Sequence, residues 1–290
     1  MKIQSLSVCI PAGCVNQCKF CVSRMKVDTK YVNQIENNTR FRDLYKKDYK
    51  KRLQFARDNG CNTVMLTGDG EPLVNRNFIE SFFEWNDHLN IPFRWIEIQT
   101  SGAMLDDEYL RFLRNGGVNT ISLSLSSIFS DEENTKYNCP VKDEYKVNIK
   151  ELCSEIKRYD FTLRLSLNMT DFYNDKSPEE IFDRVKELGG DQVTFRILYT
   201  SGTGAEQDKW IDKHRSDPKV IDKITEYVKK HGQALEILPF GATKYSVNGI
   251  STVIDGDCMS TEVGETLKYL VLRPNCKLYS KWDDSGSLIF

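Results

Sequence analysis

Histidine is scarce in this chain: only His88, His214 and His231 occur in 290 residues, and none lies near a group of cysteines. The paired Cys/His ligands of a structural zinc site are therefore not assembled anywhere along the sequence. No eighteen apolar residues run together, so no membrane-spanning helix is expected. The first residues, MKIQSLSVCIPAG, lack the layout of a secretory signal. Excess charge is missing too. Forty basic and 42 acidic residues leave a net charge of −2, and the basic ones are scattered. That is no footprint for long nucleic acid, which is disfavoured as a partner. Repeats and low-complexity tracts are also absent.

Cysteine, in contrast, is plentiful. Nine cysteines with no secretory signal point to a reducing compartment, and a cytoplasmic location is expected. Three of them are close together in Pro11-Ala-Gly-Cys-Val-Asn-Gln-Cys-Lys-Phe-Cys21, a C-x3-C-x2-C pattern. Thiolates Cys14, Cys18 and Cys21 could hold an iron–sulfur cluster while leaving one iron of a cubane open to another ligand, since the usual complement is four cysteines. Zinc and chance clustering of core thiols are the competing readings. Cys9, Cys61, Cys139, Cys153, Cys258 and Cys276 read as core thiols.

The length suits one large α/β barrel or two modest domains. Strand-like segments at 3–10, 63–67, 95–100, 120–126, 162–169 and 192–199 alternate with helical ones, which argues for parallel βα units. The helices are expected at about 40–59, 78–89, 106–114, 144–158, 178–188 and 217–231. The last stretch changes character. A hairpin is expected around Asn248-Gly249, with further short strands about Pro274-Asn275 and Asp284-Ser-Gly. The expected division is a barrel over 1–235 and a C-terminal β-rich extension over 236–290 covering one side of it.

The strands are not uniformly apolar, as strands buried on both faces would be. Thr162, Arg164, Ser166 and Asn168 alternate with Leu163, Leu165, Leu167 and Met169. Ser122, Ser124 and Ser126 alternate with Ile121, Leu123 and Leu125; Glu97 and Gln99 with Ile96 and Ile98; Thr194 and Arg196 with Val193, Phe195 and Ile197. Side chains alternate faces along a strand. One face then packs on helices, and the polar face lines a lumen that holds water or a polar ligand. A half-exposed antiparallel sheet is the alternative.

On these residues the chain resembles the radical S-adenosylmethionine (SAM) superfamily, whose hallmark is C-x3-C-x-aromatic-C after the first strand. Phe20 supplies the aromatic. The resemblance implies a partial (β/α)6 TIM-like barrel of parallel strands, a [4Fe–4S] cluster on Cys14, Cys18 and Cys21, and SAM on the open iron. It also implies an electron donor such as flavodoxin or ferredoxin. Gly68-Asp69-Gly70-Glu71-Pro72 is similar to the family's G-G-E-P segment, with Asp69 inserted, and its backbone and Glu71 are expected to bind the SAM ammonium group. Gln99-Thr100-Ser101-Gly102 resembles a T-N-G ending, and Ser124-Leu125-Ser126 an S-L-D. Arg164, Ser166 and Asn168 are candidates for the SAM carboxylate and ribose.

Glu97, Arg196 and Tyr199 are candidates for contacting substrate. Arg196 suits a carboxylate or phosphate, or else pairs with Glu97. The loop starting Thr200-Ser-Gly-Thr-Gly-Ala is either a phosphate contact or simply mobile. The segment from Val271 to Trp282 is faintly similar to an L-R-P-D-G-K-L-Y segment of molybdenum-cofactor-synthase-like members, and a distant likeness to viperin-like enzymes is noted. With only Cys258 and Cys276 nearby, a single cluster is expected.

The expected function is a radical SAM enzyme that abstracts hydrogen from a small polar metabolite or nucleotide. The alternatives are a glycyl-radical-enzyme activase, another peptide- or tRNA-modifying enzyme, or a non-catalytic redox sensor.

Overall fold

Six strands fall where the alternation of polar and apolar side chains places them: β1 (Lys2–Cys9), β2 (Thr63–Thr67), β3 (Trp95–Thr100), β4 (Thr120–Leu125), β5 (Thr162–Asn168) and β6 (Gln192–Arg196). The computed structural model describes residues 2–25, 40–238, 242–255, 262–263, 266–282 and 284–290. Each strand pairs in parallel with the next, from β1 to β6. Helices α1 (Arg40–Asp58), α2 (Arg76–Asp87), α3 (Asp107–Asn115), α4 (Asp131–Asn138), α5 (Ile149–Arg158), α6 (Pro178–Glu187), α7 (Glu206–His214) and α8 (Pro218–His231) connect or follow them. Among the described residues no helix is long and apolar enough to cross a membrane.

Local chemistry sets the helix ends. Ser177 and Glu180 form a reciprocal capping box with Pro178 in the first turn, which starts α6. Helix α5 begins at Ile149, later than expected, because the Asn148 side chain accepts from Glu151 N–H and takes the cap. A separate 3-10 turn covers Asp143–Tyr145. Helix α4 was not expected at all. Its sequence, DEENTKYN, has no apolar period, and only the Ser130 cap and the three acidic residues of its first turn mark it.

The two faces of the strands divide as anticipated. Ile121, Leu123, Leu125, Leu163, Leu165 and Leu167 have no exposure and form the core beneath the helices. The opposite face encloses a cavity of about 910 Å³ whose wall includes Ser7, Glu97, Gln99, Arg164, Thr194 and Arg196.

The C-terminal segment does not lie on one side of the barrel. It returns to the sheet at both edges, through β7 (Gln233–Ile237), β8 (Thr243–Val247), β9 (Ile250–Asp255), β10 (Glu262–Val263), β11 (Thr266–Leu272) and β12 (Leu278–Tyr279). Strand β9 joins β6 in parallel, and β11 joins β1 in parallel on the opposite edge. Strands β7, β8, β10 and β12 add antiparallel pairings outside them. The sheet order β11-β1-β2-β3-β4-β5-β6-β9 thus gives eight parallel strands. Lys268 of β11 reaches Asp255 of β9 at 3.2 Å, so the two outer strands meet through side chains across the seam. The β8–β9 hairpin turns on Asn248 and Gly249, both with positive φ, as its Asn-Gly pair requires.

Because β11 is a barrel strand, Leu270, which is fully buried, should behave as a core residue. Leu270→Ala is expected to cost about 2–5 kcal/mol in chemical denaturation. A loss well under about 1 kcal/mol would mean that the C-terminal strand is not part of the folded core.

Candidate active site

The residues after β1 form a loop held against the turn that follows β2. Ile10 N–H donates to Thr67 O at 2.7 Å, Glu71 N–H to Gly13 O at 3.0 Å, and Asn75 Nδ2 to Pro11 O at 2.8 Å. The two glycines make this approach possible. A Cβ on Gly70 would sit 2.3 Å from Ala12 O and 2.5 Å from Gly13 O, and one on Gly68 would sit 2.7 Å from Ile10 O. These are backbone atoms and cannot swing aside. Pro72 is buried and opens a short 3-10 turn.

Glu71 is 3% exposed, and both of its carboxylate oxygens are taken. One accepts from Thr100 Oγ1 at 2.6 Å and Leu73 N–H at 3.3 Å, the other from Ser101 N–H at 2.9 Å and Ser101 Oγ at 2.7 Å. The end of β3 is thereby tied to the same turn. Ser101 lies where the family pattern has asparagine, and its hydroxyl does bracing work that sequence reading did not assign.

Helix α4 grips the cysteine loop from the other side. Gln17 N–H donates to Asn138 O at 3.1 Å and Cys139 O at 2.8 Å, and Val141 N–H donates to Val15 O at 2.9 Å. Ser126, fully buried, donates from Oγ to Asn138 Oδ1 at 2.6 Å, while its N–H donates to Asn134 Oδ1 at 2.9 Å. Asn134 and Asn138 were missed. Their one sequence signal is asparagine spaced by four after the Ser130 cap.

Of the three thiols, Cys14 is exposed and Cys18 and Cys21 are half-buried. The Cys18 thiol donates to Asn138 O at 3.5 Å. Burial pushes its pKa well above the ordinary range, and the nearby Cys21, Cys14 and Cys139 thiols push the same way. Burial also raises Cys14, against a hydrogen bond from the Asn16 backbone. Among the described residues no three Cys, His, Asp or Glu side chains close on a point the size of one metal ion. A cluster asks for less crowding, because each thiolate meets a different iron. Three thiols on one short loop, with Cys14 and Cys21 near enough to act on Cys18, are a donor set that fits an iron–sulfur cluster.

The remaining cysteines divide. Cys9, Cys61, Cys153 and Cys276 are buried as expected, and burial pushes Cys61, Cys153 and Cys276 up to about 12. Cys139 is a correction: it is half-buried, has a left-handed backbone (φ 47°), and lies beside Cys18. Cys258 lies outside the described residues.

In the lumen, Glu97 pairs with Arg164, whose Nε and second terminal nitrogen donate to Gln192 Oε1 at 2.8 and 2.6 Å. Glu97 does not pair with Arg196. Arg196 donates from Nε to Ser166 Oγ at 2.9 Å, and Asn168 Nδ2 donates to Ser124 Oγ at 3.2 Å. Tyr199 lies elsewhere, in an apolar group with Phe20, Trp210, Met25, Leu198 and Ile211 beside the cysteine loop.

The 200–205 loop turns inward on Asp208, which accepts from Ser201 N–H at 2.7 Å and Gly204 N–H at 3.1 Å. A carboxylate of the chain itself thus fills the position a phosphate would need. Asp69 links the turn to the tail: it accepts from Ser23 Oγ at 3.1 Å and pairs with Arg273 at 3.4 Å.

The profile of the radical SAM superfamily matches residues 8–170. The chain belongs to the radical SAM superfamily. Among solved structures it is similar to anSMEcpe with bound AdoMet and a Cp18Cys peptide, with TM-score 0.52, 15% identity, and coverage of 79% of this chain and 59% of that one. It is also similar to the Escherichia coli radical SAM enzyme coproporphyrinogen III oxidase, HemN, with TM-score 0.54, 17% identity, and coverage of 80% and 54%. A third likeness is to Streptococcus suis SuiB bound to the precursor peptide SuiA, with TM-score 0.59, 15% identity, and coverage of 96% and 59%. At these identities the likeness is one of fold. The chain spans little more than half the length of each of these three proteins. No curated protein matches the sequence. Radical SAM proteins bind SAM and an iron–sulfur cluster, and those are this chain's cofactors.

If the clasp depends on the glycine at 70, Gly70→Ala should lower iron loading after anaerobic reconstitution and destabilise the fold by about 1–3 kcal/mol through overpacking. Gly13→Ala should change neither, since a Cβ at Gly13 meets nothing within 4 Å. Equal behaviour of the two variants in iron content and thermal unfolding would refute the clasp.

Proposed function

We propose that this chain is a radical SAM enzyme acting on a small polar metabolite or nucleotide in the barrel lumen, with a [4Fe–4S] cluster on Cys14, Cys18 and Cys21. The carrying observation is the clasp between the cysteine loop and the 68–72 turn, which opens on a polar cavity of about 910 Å³. When bound, cluster and SAM supply one-electron cleavage of the sulfonium to methionine and a hydrogen-abstracting 5′-deoxyadenosyl radical.

The protein's own groups provide placement. Glu71, with its oxygens saturated, braces the turn instead of reaching for the SAM ammonium, and leaves the backbone around Gly68 and Gly70 for that purpose. Phe20 and Trp210, 6.0 Å apart, form an apolar wall beside the loop. Ser124 and Asn168 offer hydroxyl and amide groups to a ribose. A polar lumen walled by strands restrains two ligands at once and limits the access of water to reactive carbon.

A cluster held by these thiols would be reached by a reductant from the side of the exposed Cys14. Lys19, Arg24 and Lys136 are exposed around this loop, and among the described residues none forms an ion pair. Lys136 lies over the Tyr137 and Phe172 rings. Such a surface suits an acidic electron carrier such as flavodoxin or ferredoxin.

A peptide-modifying role is the second reading. It is favoured by the terminal strand β7, exposed at every position, with Leu235 and Ile237 outward and Glu236 on the cavity wall. An extended peptide can add to such an edge.

Cys18→Ala should abolish the brown colour of anaerobically reconstituted protein and all formation of 5′-deoxyadenosine. Reductive SAM cleavage by that variant would overturn the ligand assignment. Reversing Lys19, Arg24 and Lys136 to glutamate should slow reduction by flavodoxin about tenfold or more at low salt, while dithionite-driven cleavage stays unchanged. Equal slowing with both reductants would dismiss the docking surface.

A further inference from the structure

Four of the charged groups on the lumen wall neutralise one another in two pairs. Glu97 is held by Arg164, and Asp255 by Lys268 at 3.2 Å with both side chains under 15% exposed. Arg196 differs. By register it lies between Asn168 of β5 and Asp255 of β9, yet Asp255 is turned to Lys268 across the seam. Glu236, another carboxylate on the cavity wall, sits on β7, three places from β6 in the sheet order. Among the described residues the Arg196 side chain makes one hydrogen bond, from Nε to Ser166 Oγ at 2.9 Å, and its two terminal nitrogens have no partner. Its guanidinium borders the cavity.

This is a preorganised arrangement. Anchoring Nε fixes the plane of the fork and leaves two N–H groups side by side, the geometry that accepts a carboxylate or phosphate in two parallel hydrogen bonds. A guanidinium in a cavity without a counter-charge is unfavourable until an anion arrives. Position supports a second ligand. Around the eight parallel strands β6 stands four places from β2, so Arg196 faces the 68–72 turn from the opposite wall.

We propose that Arg196 anchors an anionic group, a carboxylate or a phosphate, on the substrate that shares the lumen with SAM. The inference rests on the radical SAM reading and narrows its substrate class to anions.

The test is protection of Arg196 from phenylglyoxal in anaerobically reconstituted, SAM-saturated enzyme, read by peptide mass spectrometry, with exposed Arg94 as internal control. With SAM alone Arg196 should stay reactive. Adding inorganic phosphate or succinate should lower its modification about tenfold without changing Arg94; which anion protects separates the phosphate from the carboxylate source. Arg196→Lys should weaken binding of the protecting anion about tenfold, because a point charge cannot reproduce the fork, and leave SAM affinity unchanged. Protection by SAM alone would mean that Arg196 holds the cofactor's own carboxylate, and protection by neither anion would mean no site; either result overturns the proposal. Both leave the radical SAM reading intact as long as 5′-deoxyadenosine is still produced, whereas failure of that cleavage would strike the reading itself.

Discussion

Close approach of two backbones, made possible by Gly70, underlies the rest of the site. The turn after β2 lies so near residues 12 and 13 that no side chain fits between them, and the N–H of Glu71 bonds the loop directly. Loops are ordinarily among the more mobile parts of a fold. Here a nineteen-residue helix, α1, separates the two motifs in sequence, yet the parallel ladder of β1 and β2 brings their ends together. The buried Glu71 carboxylate then recruits Thr100 and Ser101 from β3, so three consecutive strand ends form one rigid platform. Four donors on a single carboxylate make that platform costly to break, since each would lose a buried acceptor.

The same platform reaches into the tail. Asp69, the residue added between the two glycines, pairs with Arg273, which is 2% exposed and lies near the Tyr279 and Trp282 rings. Breaking such a pair by removing one partner leaves an uncompensated buried charge. The C-terminal strands therefore do two things at once: they complete the parallel sheet at both edges and fasten the turn beside the cysteines. Their placement also brings Lys268 to Asp255, and that pairing turns the carboxylate of Arg196's register partner across the seam.

Much of this was legible beforehand, for identifiable reasons. Strands with one polar face announce themselves by period two, as Leu163, Leu165 and Leu167 against Arg164, Ser166 and Asn168 do, and the helical segments between them favoured parallel pairing over an antiparallel sheet. Cysteine spacing is a local property, so the loop was legible as well. Helix α4 was not, because a polar eight-residue helix carries no periodic signal. With it went Asn134 and Asn138, and the half-buried setting of Cys139. The inward turn of the 200–205 loop onto Asp208 was equally hidden, since glycine and serine there mark a turn without saying what it encloses.

The amino-acid order by itself determined the strand sequence, the polar lumen, the cysteine triplet and the membership these imply, because each depends on residues near one another along the chain. Tertiary structure alone decided which polar groups satisfy one another: Glu71 with Thr100 and Ser101, Glu97 with Arg164, Asp255 with Lys268, Arg196 with Ser166. It also decided that the tail joins both sheet edges. Those choices depend on strand register and on distances between residues far apart in sequence, and no local pattern encodes them.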